Sequence, residues 1–379
     1  MDKETLSNYG WIVVLVLILA VMMALASPFG SFVSTAIKDV TGGFWDVNSA
    51  SLNAVGINTD DLSFDNNTAT NSSDTTYYTA EEIEADDHLY AIGKTKPEYV
   101  VAKFNDDYSE VVITKNGNDS DGLMMDSPSV LSNKRITITT ITIKNGVINI
   151  SKNAFYSFVK LQTIEIPQSV KSIAPYAFYN CADLNNVFLP NNIITIDDYA
   201  FNNCTNLTHI EIPNSVTTIG DYAFSHCDNL ISASIPNSII NIGNNVFEWC
   251  TKLETVTFED GLKVIGNNTF YNCYKLRNLK LPQGINEIGD YAFYNCHGLY
   301  TLHIPDSVTN IGSYSFYYCT NLTVIYIPNS LTNIGEKAFS SANNFSKIFC
   351  ENQTVADLLI AEYNYSTSKT SVVIDVTKF

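Results

Sequence analysis

Phenylalanine recurs every 23 residues in this chain, at Phe155, Phe178, Phe201, Phe224, Phe247, Phe270, Phe293, Phe316 and Phe339. Seven cysteines keep the same interval: Cys181, Cys204, Cys227, Cys250, Cys273, Cys296 and Cys319. Chance composition does not produce nine hits without a slip. A fixed period of this length is the mark of stacked, near-identical coils.

One unit, Leu207 to Cys227, shows how a coil is built. Ile210 and Ile212 stand two apart, the spacing that puts both side chains on one face of a strand. Pro213 follows and ends that strand, because it has no N–H for a ladder. Val216 and Ile219 are expected to turn inward, with Gly220 permitting a bend. Ala223 and Phe224 should fill the core, and Leu230 opens the next coil. A single coil is too small to bury these residues. Stacking places each above its copy, so that Phe, Leu, Ile and Val form continuous ladders. Fully burying one such side chain contributes roughly 1.5–3 kcal/mol. Eight or nine coils at about 4.8 Å each make a rod on the order of 40 Å long.

The consensus L-x-x-I-x-I-P-x-S-V-x-x-I-G-x-x-A-F-x-x-C resembles the BspA-like class of leucine-rich repeats over about residues 151–345. Departures are few: Glu259 stands for proline, Gly261 and Gly284 for serine, and Phe158 and Ala342 for cysteine in the terminal coils. The fold class expected is therefore a mainly β solenoid, a leucine-rich-repeat stack of 23-residue coils. The resemblance also implies a bacterial protein displayed at the cell surface. The recurrent Asn–Leu–Thr steps at Asn206 and Asn321 would then carry no glycan.

The remaining sequence divides into flanking segments. Residues 1–40 hold an apolar run, Trp11–Ala26, inside a stretch that carries no charge between Glu4 and Lys38. Continued by Phe29, Phe32, Val33 and Ile37, this stretch is long enough for a transmembrane helix. A cleaved leader using Ala24–Leu25–Ala26 is the alternative, although the positive n-region of a secretory signal is lacking. Lys3 lies between Asp2 and Glu4, and Lys38 beside Asp39, so charge sets no orientation. A pilin-like filament subunit also fits a short tail and one span, but Gly10–Trp11 lacks a glutamate five residues on. Residues 41–96 read as an acidic low-complexity linker. Nine acids and no Lys or Arg fall within 57–90, a composition that predicts a disordered or extended segment. Residues 97–150 read as a β-rich N-terminal cap. Tyr99–Phe104 and Tyr108–Ile113 should form a hairpin, with further strands at Thr137–Ile143 and Val147–Ile150. Residues 346–379 read as a C-terminal cap: a short helix over Gln353–Glu362, with Asn352 as N-cap, and a closing strand at Val372–Val376.

The net charge is −18. That excludes nucleic acid as an expected partner, since binding it needs Lys and Arg against phosphates. The cysteine ladder could suggest disulfides or zinc. Seven is odd, in-register parallel side chains rarely give the disulfide torsion, and no C-x-x-C spacing occurs. Buried free thiols acting as small apolar groups are the expectation. Cys350 takes the inward place of Ile327 one coil later.

No catalytic motif is present: no H-E-x-x-H, no G-x-S-x-G and no Gly-rich phosphate loop. His226 and His297 lie beside ladder cysteines, but each occupies a slot filled differently in other coils. No cofactor and no metal are expected. What varies is the outward strand positions, and solenoids use such a strip for recognition. Phe188, His209, Glu211, His303 and Tyr326 are the candidate binding residues, with Phe188 and Tyr326 as the exposed aromatic anchors. A second column, Tyr176, Tyr199, Tyr222, Tyr291 and Tyr314, is expected to stack for stability. The function these features imply is a non-catalytic, membrane-anchored surface protein that binds another protein. A structural envelope or filament role is the alternative.

Overall fold

The computed structural model describes residues 77–341 apart from 119, 120 and 278, together with 347–350, 353, 355, 357 and 373–375. The expected transmembrane segment and most of the expected linker lie outside these residues. Among the described residues, no helix is long and apolar enough to cross a membrane.

The chain stacks as a β solenoid with in-register rungs. On one side run parallel strands: His209–Glu211 pairs with Ser232–Ile235, which pairs with Thr255–Phe258. Further along, Thr301–His303, Val324–Ile327, Lys347–Cys350 and Val373–Asp375 continue the same pattern. The inward residues Ile210, Ala233, Val256, Leu302 and Ile325 are buried, as period-2 alternation requires.

Each coil also has a second strand, only two residues long. Asn149–Ile150, Ser172–Ile173, Thr195–Ile196 and Thr218–Ile219 pair in parallel. Bridges at Ile219–Ile242 and Asn241–Val264 carry the ladder on to Val264–Ile265, Glu287–Ile288, Asn310–Ile311 and Asn333–Ile334. The inward turn expected at Ile219 is thus part of a sheet.

The third side has no strand, yet its backbone is bonded up the stack. Tyr222, Phe224 and His226 donate their N–H to the carbonyls of Asn244, Val246 and Glu248 one coil on. The residues between them close i→i−3 turns, as Ser225 N–H does on the Tyr222 carbonyl. Buried backbone groups are therefore paired on all three sides. This geometry needs two left-handed residues per coil, and they are seldom glycine. Tyr222 has φ 59° and His226 φ 58°, with Tyr199 and Asn203, and Tyr314 and Tyr318, in the same roles. Such a backbone costs roughly 1–2 kcal/mol at a non-glycine residue. It persists because the rungs above and below fix it.

The phenylalanines fill the centre. Phe224 and Phe247 stack with centroids 5.6 Å apart and planes 9° from parallel. The column runs unbroken from Phe155 to Phe339, with spacings of 4.9 to 5.6 Å. The expected tyrosine column stacks as well, with Tyr199 4.8 Å from Tyr176 and 4.7 Å from Tyr222. Two polar columns bind one coil to the next. Ser215, Ser238, Ser307 and Ser330 each donate to a carbonyl of the coil before, at 2.5 to 2.6 Å. Asp198, Asp221, Asn244, Asn267 and Asp290 each accept the backbone N–H of the following rung through Oδ1.

The repeated glycine has a different reason from the one the sequence suggests. Gly220, Gly243, Gly266, Gly289, Gly312 and Gly335 do not have positive φ. Their constraint is close approach. A Cβ on Gly266 would lie 2.7 Å from the Gly243 carbonyl oxygen and 3.0 Å from that of Ile242. Gly266→Val should therefore push two coils apart and destabilise the protein by about 1–3 kcal/mol, as overpacking does. Thermal unfolding of the variant checks this; an unchanged midpoint would refute it.

At the N-terminal end, β1 (Leu89–Ala91), β2 (Val100–Phe104), β3 (Glu110–Lys115) and β4 (Thr140–Ile143) form one sheet with Thr163–Glu165. β2 and β3 pair antiparallel, which is the expected hairpin. β3 then pairs in parallel with β4, joining the hairpin to the first coil. Regular structure begins earlier than the acidic composition suggests. Helix α1 (Ala80–Ala85) starts at a capping box: Glu82 N–H donates to Thr79 Oγ1, and Thr79 N–H donates to Glu82 Oε2. Glu81 and Glu82 in its first turn suit the helix dipole. Buried Asn116 ties this segment down, accepting from Tyr78 N–H and donating to the Tyr78 and Glu98 carbonyls. The linker reading thus fails for residues 80–91, where local caps and one buried amide offset the chain entropy.

At the other end, Gln353, Val355 and Asp357 are helical, and Gln353 Nε2 donates to Asp357 Oδ1. Val355 is buried, and Cys350 pairs in register with Ile327 and is buried as expected.

Candidate recognition face

The outward strip is set by the strands just described. Ser232 lies beside His209, and Ser234 beside Glu211. His209 and Glu211 are exposed, while Ile210 between them is buried. Phe188 is 62% exposed, more than any other aromatic among the described residues. On this face its coil has no full strand: the ladder narrows there to a single bridge, Asn186–His209. Asparagine is a poor strand former, and Asn185–Asn186 stand at this point.

Four coils past Glu211, His303 begins a second group, with Tyr326 as its register partner. His303 stacks on Tyr326 at 5.3 Å, and Tyr326 stacks on Phe349 at 4.9 Å. Tyr326 is half-buried in this sandwich, which corrects its reading as an exposed anchor. Its ring faces are covered by His303 and Phe349. Phe349 is part of the same column, one period after Tyr326, but it falls past the last coil of the sequence consensus. Alternation along the strand also passes over Tyr300, which precedes its strand by one residue and is 59% exposed.

The candidates therefore share one face in two groups. Phe188, His209 and Glu211 occupy adjacent coils, and His303 and Tyr326 occupy another adjacent pair. At about 4.8 Å per rung, Glu211 and His303 are separated by about 19 Å. A small molecule would not span them; a protein surface would.

The cysteines that lie beside His226 and His297 sit inside the column. The seven ladder cysteines are free thiols, and all eight cysteines are buried. Each ladder thiol donates to the carbonyl of the phenylalanine in the coil before, from Cys181 to Phe155 at 3.2 Å through to Cys319 to Phe293 at 3.2 Å. Burial pushes the Cys204 and Cys319 thiols up to about 12. It also lifts Cys181, Cys227, Cys250 and Cys296 well above the ordinary thiol range. A thiol held protonated in this way is a poor nucleophile. His226 stacks on Trp249, and His297 stacks on Tyr274 with Nδ1 3.0 Å from Thr320 Oγ1. Both imidazoles are thus engaged by side chains other than the thiols. Among the described residues, no group of three or more His, Cys, Asp or Glu could hold a metal ion.

Comparison with known proteins agrees with this architecture. A model of the BspA type leucine rich repeat region matches in six copies, over residues 129–254 and 240–358. No curated protein matches. Among solved structures, a leucine-rich repeat protein from Bacteroides ovatus is 23% identical, with 66% of this chain and 93% of that chain covered and a TM-score of 0.28. A leucine-rich repeat protein from T. pallidum is 22% identical, with 66% and 90% covered and a TM-score of 0.38. The pneumococcal vaccine antigen PcpA is 17% identical, with 75% and 98% covered and a TM-score of 0.40. The family model spans more than half of the chain and coincides with the stacked 23-residue coils, so the protein belongs to the BspA-type leucine-rich repeat family.

Proposed function

We propose that this is a non-catalytic, membrane-anchored protein of the cell surface whose solenoid binds another protein through its outward strand face. The observation that carries the reading is the spread of outward groups over several rungs: Phe188, His209 and Glu211 at one end, His303 and Tyr326 at the other. The family fold is consistent with protein interaction, because stacked coils offer an extended flank rather than a cleft. The apolar run Trp11–Ala26 supports anchoring, and the acidic residues that follow support a spacer between membrane and repeats. β1 to β3 would act as the cap of the first coil, leaving the three-residue β1 as the edge of that sheet.

The test is binding of the full chain to immobilised cell-surface and extracellular-matrix preparations. Replacing Phe188, Glu211, His303 and Tyr326 together by alanine should weaken retention by about tenfold or more, since removing anchors of an interface commonly costs above 1 kcal/mol each. Undiminished retention of that variant would refute the strip as the binding face. Loss of ordered assembly on deleting residues 1–40, with retention unaffected by the strip, would instead favour the filament role.

A further inference from the structure

On the turn side, the cap and the first coil do not continue one another. One period before Tyr156 stands Asn133, the last residue of the short helix Ser129–Asn133. Buried Leu131 anchors that helix. Ser132 and Lys134 donate their N–H to the Pro128 and Leu131 carbonyls, inside the same segment. A helical turn directs its N–H groups back along its own axis, so it cannot extend the rung-to-rung bonds of the coils. A cavity of about 210 Å³ lies at the mismatch, lined by Ser127, Ser132, Arg135, Asn153 and Tyr156.

The side chains around this cavity are hydrogen-bond donors, and among the described residues no Asp or Glu lines it. Arg135 and Arg277 are the arginines of the chain. Arg277 is paired with Glu254 at 2.6 Å, whereas Arg135 enters no ion pair among the described residues. Neighbouring charges are engaged elsewhere. The Lys134 ammonium lies 3.5 Å from the Tyr108 ring centroid, and Asp126 is paired with Lys94 at 3.8 Å. The far wall is fixed by the first coil. Ser127 N–H donates to the Lys152 carbonyl at 2.8 Å, and Asn153 Nδ2 donates to Ser127 Oγ at 3.1 Å. The hydroxyl protons of Ser127 and Ser132 remain to be donated.

Tyr156 supplies a flat apolar surface. It stacks on Tyr179 at 4.8 Å with planes 8° from parallel. It is the first ring of its run, and among the described residues no second ring lies on its other face. We propose that this cavity binds a sugar carrying a carboxylate, a hexuronic acid residue at the end of a glycan. Arg135 would hold the carboxylate through paired N–H groups. Ser127 and Ser132 would donate to ring hydroxyls, and the C–H face of the sugar would lie on Tyr156. The volume is below the about 300 Å³ at which pockets for drug-sized ligands begin, and it suits one sugar ring. The net charge of −18 repels anions at a distance, which disfavours a polyanion and leaves a ligand with a single carboxylate. This site stands on the turn side and does not rest on the reading of the strand face.

Methyl glucuronide, methyl glucoside and acetate, each titrated calorimetrically into the full chain, test the proposal. The glucuronide should bind. The glucoside lacks the carboxylate and should bind at least about tenfold more weakly. Acetate brings the charge without the ring and should also be weaker by about tenfold or more. Arg135→Gln changes an exposed side chain, so it should keep the fold and lose about tenfold in affinity for the glucuronide. Tyr156→Leu should lose about threefold or more. Phe188→Ala, on the strand face, should change nothing. No binding of the glucuronide up to about 10 mM, acetate binding as tightly as the glucuronide, or full affinity in Arg135→Gln would overturn the proposal. So would an equal loss in Phe188→Ala.

Discussion

Above about pH 9 the protein should lose stability steeply and unfold, while remaining intact at about pH 7 to 8. The cause is the column of seven buried thiols. Each is held protonated in the folded chain, with Cys204 and Cys319 raised to about 12. In the unfolded chain a thiol titrates near about 8.5. Below that value both states carry the proton, and the thiols add no pH dependence. Between about 8.5 and 12 the unfolded state releases protons that the folded state keeps, so unfolding is favoured as pH rises. The slope is about 1.4 kcal/mol per pH unit for each thiol, and the rungs add. Circular dichroism and thermal midpoints from about pH 7 to 11 read the effect directly. Replacing Cys227 and Cys250 by serine keeps a donor for the phenylalanine carbonyls and should flatten the profile by two thiols' worth of slope. A profile that stays level to about pH 10.5, or is unmoved in the double variant, would contradict the account. Alkylation gives an independent check: the folded protein should resist iodoacetamide at about pH 8, and eight thiols should react after unfolding.

Phe247→Ala should be the most damaging single substitution in the middle of the stack. Phe247 is fully buried between Phe224 and Phe270, at 5.6 Å from each. Truncating a buried phenylalanine costs about 3–5 kcal/mol, transfer and cavity together. In a stack where each coil touches only its neighbours, the damage should also be local in origin. Amide exchange should quicken first in the coils of Phe224, Phe247 and Phe270, and the unfolding transition should broaden. Uniform exchange along the whole column, or a cost below about 1 kcal/mol, would argue against nearest-neighbour coupling through the rings. Phe339→Ala in the terminal coil should cost less, because fewer rungs depend on it.

The repeat made most of this architecture readable before any coordinates. Phe224, Cys227 and Ile210 recur because each must meet its own copy, so the period and the inward positions follow together. The hairpin over Val100–Lys115 was legible from alternation and the polar Asn105–Asp107 turn. What escaped notice has physical reasons. Thr218–Ile219 is a strand of two residues, too short to show a period of two. Ser215 looks like a turn residue, whereas its hydroxyl bonds the preceding coil. Tyr222 and His226 adopt a left-handed backbone against their local preference, imposed by bonds to residues 22 positions on. Asn116 gives no pattern in sequence, yet its amide joins Tyr78 to Glu98. On the outward strand face, the positions of His209, Glu211 and His303 followed from alternation. The sandwiching of Tyr326 did not, because it depends on Phe349 beyond the consensus and on ring orientations that spacing alone leaves open.

Hydrogen bonds on all three sides run along the axis of the column, each joining one rung to the next. A load applied between the two ends of the stack would meet these contacts in series rather than in parallel. The weakest rung would part first, and its 23 residues would straighten, lengthening the molecule by about 70 Å while the others stayed folded. Built this way, the protein can yield by instalments under tension and refold rung by rung on whatever template remains.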